Sequence, residues 1–316
     1  MTSPLDPQIA AALAPILEHA GDLTPPPAGD VEGRRTALNG MLSAINNLEP
    51  AAGDVRTTDY HLNTADGAEL LLRWYTKDGA QPGSAVLYFH GGGMILGNVT
   101  MWDGPVSRIV SRSGVPFLSV EYRLAPEHPF PVPVEDGYAA LQWLHAHAGE
   151  LGVDPARIGV MGNSAGGGLA AALSILARDR SGPAIARQLL IFPMLDDRNT
   201  VADPHIAPYA AWSYDDNITA WQAILGEQAG GTDVPALAAP ARITDATGLP
   251  PAYIEAGQLD IFRDEDLRYA IALSRDGVPV ELHLYPGAPH EFDVIAYESD
   301  AARHAIAGRV RQLRSL

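Results

Sequence analysis

The sequence predicts an α/β fold, with a mostly parallel central sheet flanked by helices. Two observations carry this. Short, wholly apolar runs such as Ala85–Phe89 read as strands buried on both faces. From there on such runs alternate with segments of helical period, the pattern of a parallel sheet covered on both sides. The composition agrees. The chain has 316 residues, 47% hydrophobic and 19% charged, which is globular and long enough to bury a full core.

Along the chain, residues 1–50 stand apart. Pro4, Pro7, Pro15 and the run Pro25-Pro26-Pro27 punctuate two helical patterns, about 7–20 and 31–48. In the second, Leu38, Met41, Leu42 and Ile45 form one apolar stripe that needs a partner surface. Two strands follow, about 54–63 and 68–76, joined at the hairpin signal Asp66-Gly67. The alternation then runs strand 85–89, helix 101–113, strand 116–122, helix 134–148, strand 157–161 and helix 165–179. It continues with strands 188–193 and 251–256, helix 264–276, strand 280–285 and helix 300–314. Residues 197–235 break the rhythm, rich in Trp, Tyr and Asp and without a strand, and read as an insertion.

Composition excludes several kinds of function. There is no cysteine, hence no disulfide scaffold, Cys nucleophile, thiolate zinc site or Cys-ligated cluster. The net charge of −17 argues against nucleic acid as a partner, because phosphate recognition relies on clustered Lys and Arg. Lys77 is the sole lysine. It is followed by Asp78 and preceded three residues earlier by Trp74, so neither a phosphate loop nor a Ser-x-x-Lys nucleophile exists. His145-x-His147 has no third ligand at metal spacing, so no metal is expected. The first residues lack a leader-like pattern, and no run approaches about 18 apolar residues, so a cytoplasmic protein without a membrane span is expected.

The chemistry lies in Gly162-Asn163-Ser164-Ala165-Gly166, between a strand and a helix. A turn tight enough to expose a serine there needs small neighbours, and it sets Ser164 over a helix N-terminus, where developing negative charge is favoured. His90-Gly91-Gly92-Gly93 follows the strand 85–89. Its glycines let backbone amides turn toward a tetrahedral oxyanion, and the donors are assigned to Gly92, Gly93 and Ala165. His90 reads as structural. A serine needs a base, and the base needs an orienting acid. Asp260 and His290 follow the strands 251–256 and 280–285, in the chain order serine, acid, histidine. Asp264, Glu265 and Asp266 open a helix, where its dipole alone accounts for acids, and Glu255 lies within a strand. Trp212, Tyr214 and Trp221 in the insertion, with Met94, Ile95 and Leu96 after the glycines, read either as pocket lining or as ordinary core.

Together with Glu121-Tyr-Arg-Leu-Ala-Pro-Glu-His-Pro-Phe-Pro131 and Asp260-Ile-Phe-Arg-Asp264, these motifs resemble the hormone-sensitive lipase family of α/β-hydrolases, and more narrowly its bacterial carboxylesterases. The resemblance covers about 50–316. It implies an α/β-hydrolase catalytic domain over 51–316, with Ser164, Asp260 and His290 catalytic. It also implies a helical cap, built from residues 1–50 and the insertion at 197–235, that forms the acyl pocket. Three positions depart from the family pattern: Asn163 stands for an acidic residue or Thr, Ile261 for Pro, and Glu291 for Gly. Glu291 facing the site would raise the His290 pKa or repel anionic substrates; pointing to solvent, it would do neither.

The expected activity is hydrolysis of short- to medium-chain acyl esters through an acyl-enzyme, with no cofactor. Amide, carbamate or lactone hydrolysis and deacetylation would use the same residues, since the pocket sets the substrate. A non-enzymatic small-molecule receptor is a third reading, and the retained His290 weighs against it. Dimers are common in the family. The chain's own pointer to a homodimer is an unpaired edge on the last strand, about 280–285.

Overall fold

Five consecutive apolar residues make β3 (Ala85–Phe89) the best-covered strand, and all five are buried. Alternate side chains enter the two cores on either side of the sheet: Ala85, Leu87 and Phe89 on one face, Val86 and Tyr88 on the other. Each such large apolar side chain contributes about 1.5–3 kcal/mol by leaving water. The computed structural model describes residues 5–20, 25–81 and 83–316. Residues 1–4, part of the stretch read as lacking a leader, lie outside them.

Around β3 the remaining strands are β1 (Val55–Asn63), β2 (Glu69–Lys77), β4 (Phe117–Val120), β5 (Ile158–Asn163), β6 (Gln188–Ile191), β7 (Ala252–Gly257) and β8 (Val280–Tyr285). They form one eight-stranded sheet in the order β1-β2-β4-β3-β5-β6-β7-β8. β2 runs antiparallel to β1 and β4, and the others are parallel. Helices α3 (Asp103–Ser113) and α9 (Asp300–Arg314) cover one face. Helices α4 (Val132–His147), α5 (Ala165–Asp179) and α7 (Arg263–Arg275) cover the other. The parallel order brings the C-terminal ends of β3, β5, β7 and β8 to one edge, where the loops carry the chemistry.

Of the two N-terminal helices, α2 (Val31–Asn46) packs against α6 (Tyr214–Leu225), the main helix of the insertion, and α1 (Pro7–Ala20) packs against the segment Phe292–Ile295. No strand interrupts residues 197–235. Arg34 of α2 is fully buried and joins these parts. Its Nε donates to Asp216 Oδ1 of α6 at 2.7 Å, and its Nη atoms donate to the carbonyls of Pro26 and Pro27. The proline run thus positions two acceptors for a buried guanidinium, which is costly to bury unpaired. Arg35 anchors the same helix from the other side, donating to the Ile95 and Ala125 carbonyls at 2.7 and 2.9 Å. One four-residue helix, α8 (Phe292–Ile295), follows His290 directly and has no counterpart among the sequence expectations.

Candidate active site

Ser164 sits at the turn from β5 into α5 with φ 54° and ψ −122°, a strained conformation for a non-glycine residue. Its neighbours show why the turn needs glycine. A Cβ on Gly162 would lie 2.2 Å from the Gly166 carbonyl, and one on Gly166 would lie 2.1 Å from the Phe89 carbonyl oxygen. The turn is pinned by Ser164 N donating to Ile191 O at 2.9 Å and by Met194 N donating to Ser164 O at 3.0 Å.

His290 Nε2 lies 2.9 Å from Ser164 Oγ, and His290 Nδ1 lies 2.6 Å from Asp260 Oδ2. An ionised carboxylate only accepts, so Nδ1 carries the proton and Nε2 is left to accept from the serine hydroxyl. The other Asp260 oxygen accepts from Phe262 N at 3.0 Å, which holds the carboxylate in place. Phe192 and Phe262 pack edge-on against the imidazole, with centroids 4.8 and 5.1 Å away. Burial opposes charging of His290, but Asp260 beside it, with Glu291 and Asp293 farther off, carries its pKa above the ordinary value.

The amides of Gly92, Gly93 and Ala165 have no acceptor among the described residues. Ala165 is the first residue of α5, where amides are unpaired by construction. Gly92 and Gly93 have φ +112° and +63°. A Cβ on Gly92 would meet Leu96 O at 2.3 Å, and one on Gly93 would meet the Trp212 ring at 2.7 Å. His90 is buried, stacked on Tyr122 at 4.3 Å and on Trp102 at 5.2 Å, and burial lowers its pKa to about 4. It is a neutral part of the loop's frame.

A cavity lies over Ser164 and His290. It is lined by Leu38, Met41, Leu42 and Ile45 of α2, by Ala211 and Trp212 of the insertion, and by Gly92, Glu291 and Ile295. The apolar stripe of α2 therefore has its partner surface here. A groove shares Met41, Ile45, Ala211 and Ile295 with this cavity and runs on along Leu13, Ile16, Pro208 and Tyr209. Of the suggested pocket residues, Trp212 is in the lining. Met94, Ile95 and Leu96 are not. They pack into the core at 5, 0 and 1% exposure, because Met94 turns with φ 57° and takes the chain inward. Tyr214 faces a different cleft, where its hydroxyl accepts from Asp203 N at 3.1 Å, and Trp221 is core.

The three departures resolve differently. Asn163 Oδ1 accepts from the Tyr88 hydroxyl at 3.2 Å, behind the nucleophile. Ile261 is buried and its carbonyl accepts from Asn199 Nδ2 at 2.8 Å. Glu291 is buried and lines the cavity, so it does not point to solvent. The rival acids also differ from expectation. Asp264 is exposed, as a helix-opening acid should be, but Glu265 and Asp266 are buried. Glu265 accepts from Leu195 N at 2.6 Å, Asp196 N at 3.1 Å and Asn199 Nδ2 at 3.0 Å, and so ties the loop after β6 to α7. Glu255 is held by Arg309 on the α9 side of the sheet.

Sequence comparison places this geometry among known proteins. A family model for the α/β hydrolase fold matches residues 86–294. Esterase LipI of Mycobacterium tuberculosis is 41% identical over 63% of this chain and 62% of its own length. Carboxylesterase NlhH of the same species is 39% identical over 70% of each chain. The solved structure of a bacterial heroin esterase superposes with a TM-score of 0.89 at 37% identity, covering 100% of this chain and 99% of that one. Among the described residues, no helix is long and apolar enough to cross a membrane. The chain belongs to the α/β-hydrolase carboxylesterases of the hormone-sensitive lipase family.

Proposed function

We propose that the chain hydrolyses short- to medium-chain acyl esters, with Ser164 as nucleophile, His290 as base and Asp260 as orienting acid. The observation that carries this is the continuous relay of 2.9 and 2.6 Å contacts from serine to carboxylate, beside three unpaired amides. Ser164 Oγ bonds to the acyl carbon while its proton passes to His290 Nε2. The carbonyl electron pair moves onto oxygen, where the amides of Gly92, Gly93 and Ala165 receive it, each donor contributing about 3–4 kcal/mol. The carbon–alkoxy bond then breaks and the alcohol leaves with the proton from Nε2. Water repeats the cycle on the acyl-enzyme, giving its proton to Nε2, and the acid departs as Ser164 regains its hydrogen.

The cap consists of α1, α2 and the insertion 197–235, and it sets the acyl length. The cavity over Ser164 has apolar walls from α2 and the insertion, and the groove beyond it gives a longer acyl chain somewhere to lie. Hydrolysis of p-nitrophenyl esters from acetate to palmitate is expected to peak between C4 and C8 and to fall steeply by C16, as judged by kcat/KM with about 25 cal/mol gained per Å² of apolar surface buried. A maximum at C16 would sink the length assignment.

We also place a homodimer contact at β8. This strand ends the sheet, and Leu284 on it and Ile271 on the adjoining α7 are 41 and 67% exposed. Sedimentation of the wild type is expected to give a dimer, and Leu284→Lys with Ile271→Glu to give a monomer. A monomeric wild type at micromolar concentration overturns the contact.

A further inference from the structure

Glu291 breaks two rules in one place. Its backbone is left-handed, with φ 55° and ψ 27°, where any residue with a Cβ is strained. The residue is only 9% exposed, and no side chain or amide among the described residues hydrogen-bonds to its carboxylate, which opens onto the cavity. Glycine would suit the backbone and leave no charge to bury. A strained, unpaired carboxylate that lines a reaction cavity points to a role there.

The position defines what it can touch. Glu291 Oε1 and Ser164 Cβ each lie 3.4 Å from the point where a Gly91 side chain would begin. The carboxylate therefore sits within two such lengths of the nucleophile. Among the described residues lining the cavity, His290 and Glu291 are the titratable ones, and the rest are apolar or glycine apart from Ser164. Among the described residues, no arginine or lysine neutralises the carboxylate. The positive charge that acts on it is His290's, against burial and the like charges of Asp293 and Asp260. Burial accordingly holds its pKa above the usual carboxylate value.

We propose that Glu291 is the specificity-determining residue of this cavity, and that the preferred substrates are esters bearing a protonated amine two or three carbons from the ester oxygen. The inference rests on the carboxylesterase reading of Ser164. An ammonium placed there supplies the partner that the carboxylate lacks. In a cavity with apolar walls that pairing is worth more than in water. The spacing follows from reach, since the four or five bonds from the acyl carbon to the nitrogen span about 5–6 Å, which carries a cation from the acyl carbon at Ser164 to the carboxylate. A carboxylate-bearing ester would meet like charge in the same place and be rejected.

The test compares 2-(dimethylamino)ethyl butanoate with its uncharged carbon isostere, 3-methylbutyl butanoate. The wild type is expected to favour the amine ester in kcat/KM by about 10- to 100-fold, the range of a charge-assisted contact. Glu291→Gln should bring the ratio close to one, mainly through KM for the amine ester. Glu291→Gly, which suits the left-handed backbone, provides a second variant. It should lose the preference too and melt higher than the wild type. Equal wild-type kcat/KM for the two esters overturns the proposal. So does a fall in kcat for both esters with the ratio unchanged, which would make Glu291 a residue acting through His290. Hydrolysis of neither ester by folded wild type would instead remove the esterase reading on which the inference stands.

Discussion

Ser164→Ala is expected to lower kcat by roughly 10⁴- to 10⁶-fold while the protein stays folded. The loss is expected to be large because the proposed mechanism puts the covalent step on the serine hydroxyl, and no other hydroxyl among the described residues hydrogen-bonds to His290 Nε2. That ring nitrogen is the hydroxyl's hydrogen-bond partner at 2.9 Å, so removing it leaves an imidazole with no nucleophile to activate. The fold should hardly notice. Ser164 contributes to packing through its backbone, which pairs with Ile191 and Met194, and both bonds survive in alanine. Its φ of 54° is equally unfavourable for alanine, so no strain is gained or relieved. Some rate over water should persist from the unpaired amides, which still hold the oxyanion for attack by solvent. The measurement is hydrolysis of p-nitrophenyl butanoate by wild type and variant of equal melting temperature. A variant retaining more than a few per cent of kcat would require another nucleophile.

The fold and the placement of Ser164, Asp260 and His290 were legible because each depends on local pattern. Apolar runs mark the strands, and the loops that follow them must lie at one edge of a parallel sheet. What depends on distant partners was not legible. Leu38, Met41, Leu42 and Ile45 declare an apolar face, but a stripe does not say that it roofs a cavity. Met94, Ile95 and Leu96 lie next to the glycine loop in sequence. The positive φ at Met94 turns them into the core, and no residue type announces that turn. Glu265 and Asp266 fit a helix start so well that their burial is invisible locally. Glu265 takes its hydrogen bonds from Leu195, Asp196 and Asn199, far back in the chain. Side-chain direction was the other gap. Glu291 follows His290, and only its left-handed backbone, set by the turn into α8, decides that it faces inward.

The same distance problem hides Arg309, which no motif singles out and whose loss should cost the most stability. It lies on α9 and is buried between two carboxylates. Nε and Nη2 donate to Glu255 Oε2 at 3.0 and 2.6 Å, and Nη1 pairs with Asp293. Tyr253 donates to the other Glu255 oxygen at 2.7 Å, and Oδ1 of Asp293 has no hydrogen-bond partner among the described residues. Arg309→Met keeps most of the volume but strands both carboxylates in the interior. Breaking a buried charge pair in this way costs about 3–5 kcal/mol. Replacing the carboxylates as well, by Glu255→Gln and Asp293→Asn, should return much of that loss, because the cost lies in charges left unpaired. The effect should also reach the chemistry. Glu255 is on β7, whose end leads to Asp260, and Asp293 is in α8, directly after the His290 turn. The guanidinium further stands 6.0 Å from the Phe192 ring that packs against the His290 imidazole. One arginine thus braces both loops that hold the base and its acid, and small misplacements there are expensive in rate. Urea unfolding should show the single variant destabilised by several kcal/mol and the triple variant much less. At temperatures where the single variant is still folded, its kcat should already be reduced. Wild-type stability in Arg309→Met would mean that water reaches these carboxylates and that the brace is not one.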